Sequence, residues 1–253
     1  MIRLIALREL KSLFLSPLAW SMLAITQIIL CYQFLSQLDT YMQLQAKLSV
    51  LEESPGLTDL VIAPLLGGAA IVLLLIVPLL TMRLISEEQK NQTLPLLFSA
   101  PVSMSQIILG KYFGILAFLV IVVLMIALMP LSLILGAAID LGQVFSALLG
   151  LFLVTASFAA AGLYISTLTR HPAIAAVSSF GLLLFLWIIN WAGNTADTEV
   201  YGENVLSWFS LLTHFEPLLR GVFSSADIIY YLLFICLFLV LGIRRLERLR
   251  LPH

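Results

Sequence analysis

Six apolar runs constrain the fold of this chain more than any other feature. They cover roughly residues 17–36, 61–82, 112–138, 143–168, 173–192 and 227–243. The only Asp, Glu, Lys or Arg among them is Asp227, at the edge of the last run. A helix needs about 20 apolar residues to cross the hydrocarbon core of a bilayer. Each run therefore predicts one transmembrane helix.

The composition of the whole chain leads to the same prediction. Of its 253 residues, 61% are hydrophobic and 11% are charged, whereas soluble domains carry about 25% charged residues. Such a chain cannot cover a surface that faces water. We therefore predict an all-α polytopic membrane protein with six transmembrane helices, forming a single transmembrane domain over residues 1–253.

The distribution of basic residues predicts the orientation in the membrane. With the N-terminus inside, eleven of the thirteen Lys and Arg residues lie on the cytoplasmic side, and only Lys47 and Arg220 lie outside. Cytoplasmic loops of membrane proteins carry an excess of these residues. Ten of the fourteen acidic residues fall on the outer side. We therefore expect both termini to be cytoplasmic.

Residues 1–16 predict an amphipathic helix before the first span. One face of such a helix would carry Ile2, Ala6, Leu10 and Leu13. The opposite face is polar, and the basic residues of the segment are Arg3, Arg8 and Lys11. A helix of this kind lies in the membrane interface, and Ser16-Pro17 would turn the chain into the first span. A plain positively charged anchor is the alternative.

The segment before the last span predicts a re-entrant hairpin at the outer leaflet. Its second half, "VLSWFSLLTHFEPLLRGVF", is apolar but too short and too interrupted to cross the membrane. We expect a break near Pro217 and aromatic residues at headgroup depth. The candidate functional residues of this hairpin are Trp208, His214, Glu216 and Arg220. The three histidines of the chain are each expected to be solvated or interfacial.

Several classes of function leave no trace in the sequence. No acidic or basic residue lies deep in a span, which argues against a transporter driven by an ion gradient. Gly110-Lys111 is not part of a Walker A motif, because Ser105 and Tyr112 stand where that motif needs a glycine and a Ser or Thr. We predict that the chain is not an enzyme, holds no metal or cofactor and binds no nucleic acid. Energy for uphill movement would have to come from another chain.

The polar segment between the second and third spans, residues 83–111, is longer than a simple link requires. "LISEEQKNQT" predicts a helix that continues below the membrane. Pro95 and Pro101 bracket a short helical piece whose apolar residues need a partner surface. Ser103 and Gln106 form an S-x-x-Q capping box that starts the next helix. The pattern predicts a rigid cytoplasmic protrusion, and a solvated loop is the alternative.

The same segment carries the pattern Arg83…Glu87-Glu88…Thr93-x-x-Leu96-Leu97…Pro101-Val102-Ser103…Gly110-Lys111. This pattern resembles the cytoplasmic loop of the ABC type-2 permease family, and most of all its gliding-motility-associated branch, which also contains the nitrous-oxide-reductase maturation permease. "RELKSLFLSPLAW", "STLTRHPAIAA" and "LLTHFEPLLRGVFSSADIIYYL" extend the resemblance along the chain. The family often has Gly before the Thr of this loop. Here that position is Gln92, which leaves the local backbone turn open.

The resemblance implies the membrane subunit of an ATP-binding-cassette transporter in a bacterial inner membrane. Two six-span subunits, identical or related, would pack together. Each would dock its loop, as a coupling helix, on one of two copies of a separate ATPase, which would bind the ATP and Mg²⁺. The residues implied in this coupling are Arg83, Glu87, Glu88, Thr93, Leu96, Leu97, Phe98, Pro101 and Lys111.

The resemblance implies a different role in docking for each group of these residues. The two glutamates would offer charge partners to the ATPase, and the three apolar residues at 96–98 would form the buried anchor. Arg83 and Lys111 would hold the two ends of the segment at the inner headgroup region.

Three functions remain open at this point. The chain could couple ATP hydrolysis to export of a substrate that the apolar spans do not identify. It could instead pass ATPase-driven motion to a periplasmic partner without moving cargo. A non-transport membrane scaffold is the third, and it alone predicts no dependence on an ATPase.

Overall fold

The computed structural model describes residues 1–48, 56–94, 102–135, 139–193 and 208–250. Within these ranges the regular structure is helical throughout. The nine α-helices described are α1 (Ile2–Leu15), α2 (Pro17–Leu48), α3 (Ala63–Thr81), α4 (Arg83–Lys90), α5 (Met104–Ser132), α6 (Leu141–Leu168), α7 (Pro172–Gly193), α8 (Leu211–Leu219) and α9 (Ser225–Arg250). A π-helical turn, Thr58–Ile62, leads directly into α3, and a 3₁₀ turn, Leu133–Leu135, follows α5.

Six helical segments are long and apolar enough to cross a membrane, which confirms the predicted number of spans. They are α2, the continuous stretch Thr58–Lys90, α5, α6, α7 and α9. Some extend well beyond the apolar runs. Helix α2 continues to Leu48 and α5 already begins at Met104, because good helix formers continue each helix past the apolar stretch.

Helix α6 lies at the centre of the bundle. It packs against α3, α5, α7, α8 and α9, and most of its residues are buried. Small residues make this possible: a Cβ added at Gly150 would lie 2.9 Å from the Cβ of Leu218, and one at Gly162 would collide with the Thr81 side chain. In lipid, helices associate through such close packing because burial of apolar surface alone gives no net gain.

Helix α1 is held against the start of α5. A Cβ added at Gly110 would lie 2.7 Å from the Cβ of Ile5, and one at Gly114 would lie 2.7 Å from the Cβ of Glu9. The two glycines form a G-x-x-x-G pair, which lets two helix backbones approach closely. The amphipathic segment is therefore a helix fixed to the third span. It ends at Ser16, whose extended backbone (φ −86°, ψ 124°) is the conformation favoured before a proline.

Candidate functional site

The strongest polar cluster of the described chain lies where α1, α4 and α5 meet. Lys111 Nζ is 2.7 Å from Glu88 Oε1 and 3.5 Å from Glu9 Oε2. Lys111 is only 4% exposed, so its charge depends on these two carboxylates. The predicted position of Lys111 at the inner headgroup region stays a prediction, but its side chain is covered by protein. The close crossing of α1 at Gly110 and Gly114 covers the lysine and brings Glu9 to it.

The two predicted acidic contacts of α4 point in different directions. Glu87 is exposed, whereas Glu88 is partly buried and faces Lys111. Adjacent residues of a helix lie about 100° apart around its axis, and only Glu88 is paired with Lys111. Glu87 is thus the acidic residue that this face offers to a partner. The docking role of both residues remains a prediction.

Arg83 joins the start of α4 to the junction between α1 and α2. Its Nη1 atom donates a hydrogen bond to Ser16 Oγ at 3.1 Å. Beside it, a cavity of about 350 Å³ lies between α1, α4 and α5. The middle of α1, its C-terminal end and α4 thereby border the same polar region.

The end of α4 explains the residue that departs from the family pattern. Gln92 has φ +57°, the left-handed conformation that glycine adopts most readily. The amide of Thr93 donates to the carbonyl of Glu88 at 3.0 Å, and that of Gln92 to the carbonyl of Gln89 at 3.3 Å. These are the two hydrogen bonds of a Schellman motif. The turn is therefore formed without glycine, and Thr93 is its final residue.

A joint between α3 and α4, centred on Met82, was not predicted from the sequence. Ser166, near the end of α6, accepts hydrogen bonds from the amides of Ile85 and Ser86 at 3.0 Å each. It donates to the Met82 carbonyl, also at 3.0 Å. The Ser166 hydroxyl thus binds both the Met82 carbonyl at the joint and two amides of α4. A serine in "YISTLTR" gives no signal of this by itself, because its partners lie about 80 residues away.

The start of α5 confirms the predicted capping box. The amide of Gln106 donates to Ser103 Oγ at 3.3 Å, and the Ser103 amide donates to Gln106 Oε1 at 3.4 Å. The predicted anchor residues Leu96, Leu97 and Phe98 lie outside the described residues, as does Pro101 of the coupling pattern. The basic residues of α1, Arg3, Arg8 and Lys11, are exposed.

The outer segment contains a buried pair that the sequence interpretation missed. His214 Nδ1 lies 2.7 Å from Asp227 Oδ1, and its Nε2 lies 3.1 Å from the Trp208 carbonyl. The Tyr230 ring stacks on the imidazole at 4.0 Å between centroids. His214 is 9% exposed, so its side chain is not solvated, and its interfacial depth stays a prediction. It is buried because α8 packs on α6 and α7 and is closed by the first turns of α9.

The rest of this segment is helical where the structure describes it. Helix α8 passes through Pro217 and ends at Leu219, with Arg220 and Gly221 (φ +80°) forming the turn that follows. The predicted functional residues Trp208, Glu216 and Arg220 of this segment are exposed. Re-entry of the segment into the outer leaflet remains a prediction.

Hydrogen bonds fix α8 at both of its ends. Tyr231 Oη donates to the carbonyl of Leu211, the first residue of α8, at 2.7 Å. At the other end, Gln143 Nε2 donates to the Leu219 carbonyl at 3.1 Å and to Asp59 Oδ1 at 2.7 Å. These hydrogen bonds join α8 to α6, to α9 and to the π-helical turn before α3.

In the described ranges no group of three or more His, Cys, Asp or Glu side chains could hold a metal ion. The described residues instead show a set of ion pairs and hydrogen bonds that joins α1, α4 and α5.

A family comparison covers almost the whole of this architecture. The sequence model described as "ABC-2 family transporter protein" matches residues 3–251. The chain belongs to this family. Like other ABC-2 proteins it is a multi-pass membrane component of transporters, and the family implies pairing with an ABC ATPase and a second permease. No curated protein matches the chain. The gliding-motility branch within the ABC-2 family stays a prediction.

Proposed function

We propose that this chain is the permease subunit of an ATP-driven exporter in a bacterial inner membrane, and that it receives work from a separate ATPase at α4 and the segment that follows it. The observation that carries this proposal is the attachment of α4 to three other helices. The Lys111 cluster ties it to α1 and α5, and Ser166 ties it to α6. A second contact with α6 runs from Gln89 Nε2 to the Thr167 carbonyl at 3.0 Å.

Through these contacts α4 would transmit motion of the ATPase to the spans. A helix that is hydrogen-bonded to α6 and ion-paired to α5 passes a displacement on to both spans, because packed helices shift between discrete arrangements rather than deforming continuously. The exposed face of α4 with Glu87, and the apolar residues at 96–98, supply the docking surface. ATP and Mg²⁺ would bind on the ATPase, of which two copies would serve two permease subunits.

The test is co-purification of the ATPase with variants of this surface. Glu87→Lys and Leu97→Asp are each expected to lower the recovered ATPase about tenfold, since loss of one interface hot spot weakens binding by more than 1 kcal/mol. Glu247→Lys is the matched control, because Glu247 is an exposed glutamate near the end of α9. Unchanged recovery with both variants would refute docking at this surface and would favour a scaffold.

A second candidate is mechanical transmission to a periplasmic partner without transport. It is favoured by the anchoring of α8 to α6 and α9, since a rigid outer element can deliver the same motion to a protein outside. Flux measurements on the reconstituted complex separate the two. ATP-dependent movement of a substrate supports export, whereas hydrolysis without flux, lost when a periplasmic protein is removed, supports transmission.

A further inference from the structure

We propose that the His214–Asp227 pair is a pH-sensitive contact, in which a doubly protonated imidazole holds the entry segment of α8 (residues 208–211) against α9 and releases it when the ring loses a proton at alkaline pH. The inference does not depend on the proposed function. It rests on three observations, namely the acceptors that both ring nitrogens face, the burial of the pair, and its position between α8 and α9.

Both ring nitrogens of His214 face oxygen atoms that accept hydrogen bonds. Nδ1 lies 2.7 Å from Asp227 Oδ1, and Nε2 lies 3.1 Å from the Trp208 carbonyl oxygen. A carbonyl or an ionised carboxylate has no hydrogen to donate, and a neutral imidazole carries only one. A neutral ring would therefore leave one nitrogen lone pair against an oxygen. The doubly protonated ring satisfies both contacts.

The burial of the pair makes this proton matter for the fold. His214 is 9% exposed and Asp227 is 7% exposed, and in the described part of the chain each forms its only ion pair with the other. A buried charge that loses its partner is strongly destabilising. Removal of the proton would leave the Asp227 carboxylate without a counter-charge and one ring nitrogen without a hydrogen to donate.

The pair belongs to a set of side-chain donors that holds the entry segment in place. Three backbone carbonyls of this segment accept hydrogen bonds from side chains of α8 and α9. They are those of Trp208 from His214 Nε2, of Phe209 from Tyr230 Oη and of Leu211 from Tyr231 Oη. Tyrosine hydroxyls ordinarily titrate near pH 10, whereas histidine changes charge between about pH 5 and 8. His214 is therefore the donor of this set that responds near neutral pH.

Asp227 is the charged group that meets the imidazole from the elements around it. The helices α3, α6 and α7, which pack on α8, contain no Asp, Glu, Lys, Arg or His. On α9 the Tyr230 ring stacks on the imidazole at 4.0 Å between centroids, and Tyr231 follows it. The remaining titratable groups of these elements point elsewhere, namely Glu216 and Arg220, which are exposed, Asp59, which binds Gln143, Asp140, which caps α6, and Tyr164, which lies beside Phe238.

Nitrogen-15 NMR of the purified chain with labelled histidine tests the protonation state. At about pH 6 both ring nitrogens of His214 are expected to carry hydrogen, and at about pH 9 only one of them. The signals are assigned by their loss in His214→Gln. Asp227→Asn should lower the doubly protonated fraction at the same pH, because the counter-charge is gone. His171→Gln, at an exposed histidine between α6 and α7, should leave these signals unchanged.

Thiol labelling of the entry segment tests the release. Ser210, which is fully buried, is replaced by cysteine in a chain whose Cys31 and Cys236 are serine. Its labelling rate is divided by that of Glu216→Cys, an exposed position of the same helix, to correct for the effect of pH on thiol chemistry. We expect this ratio to rise about tenfold from about pH 6 to about pH 9, because a hydrogen bond to a charged group is lost. With His214→Gln added, the ratio should be high at both pH values.

The outcomes that overturn the proposal are distinct. A single protonated ring nitrogen on His214 at the lower pH refutes the doubly protonated ring. An equal labelling ratio at both pH values refutes the release of the entry segment. The same rise in the His214→Gln background assigns the response to another group. If His214→Gln does not fold, Asp227→Asn takes its place in both experiments.

Discussion

At the residue scale, two positions have roles that neighbouring sequence does not reveal. Gln92 occupies a left-handed conformation at the end of α4, where the family often has glycine. Lys111 looks like a basic residue flanking a span, but it is buried against two carboxylates from other helices. The first role was visible as a departure from the family pattern. The second depends on contacts with residues 23 and 102 positions away.

Replacing Gln92 with glycine is expected to stabilise the protein by about 1 kcal/mol, because a residue with a Cβ pays that much in the left-handed conformation. Thermal unfolding in detergent measures the effect. Lys90→Gly is the matched control. It places glycine at the exposed last residue of α4, which keeps a helical backbone, and should lower stability by up to about 1 kcal/mol. Equal destabilisation by both changes would contradict the assigned conformation.

Replacing Lys111 with methionine is expected to destabilise the protein by about 1.5–3 kcal/mol, because two partly buried carboxylates lose their counter-charge. Adding Glu88→Gln should restore part of this loss, since it removes one of the uncompensated charges. Chemical unfolding of the single and double variants measures this coupling. Lys11→Met, at an exposed lysine of α1, should have little effect. Additive losses in the double variant would count against the ion cluster.

At the element scale, local patterns were predicted well and contacts between distant elements were not. The capping box at Ser103 and the six apolar helices follow from residues close together in the sequence. The seating of α1 on α5 depends on Gly110 and Gly114, which sit inside a run that otherwise only signals a span. The G-x-x-x-G spacing could have indicated a close helix contact, but not which helix makes it. The His214–Asp227 pair needed the packing of α8, which no local pattern specifies.

Replacing Gly114 with leucine is expected to separate α1 from α5, because the new side chain would occupy the space of Glu9. We expect a loss of about 1–3 kcal/mol in stability, the usual cost of overpacking, together with faster protease cleavage of α1. Gly181→Leu is the control, since a Cβ at Gly181 meets nothing within 4 Å. Protection of α1 equal to that of the wild type would contradict the tight crossing.

At the scale of the whole molecule, α6 forms a buried centre and the surrounding helices expose apolar side chains. Exposed large residues such as Ile28, Val177 and Leu233 face the surroundings of the bundle, as lipid-facing residues would. The polar regions collect at the two ends. This segregation could be predicted from the sequence, because the apolar runs and the asymmetry of Lys and Arg are properties of the chain itself.

Single cysteines introduced at Glu216 and Glu247 test the predicted orientation. With both termini inside, a membrane-impermeant thiol reagent should label position 216 in intact spheroplasts and position 247 only after permeabilisation. The native Cys31 and Cys236 are replaced by serine for this experiment, since both are exposed on the structure. Labelling of position 247 in intact cells would reverse the topology.

The contact between α1 and α5 also has a consequence for synthesis. Glu9 and Lys111 are separated by 102 positions. At about 5–20 residues per second, α1 therefore leaves the ribosome roughly 5–20 s before its partner exists. During that time the face of α1 that packs on α5 in the structure, with Ile5 beside Gly110, has the bilayer surface available to cover it. We therefore expect the membrane surface to protect the first helix until the third span is inserted.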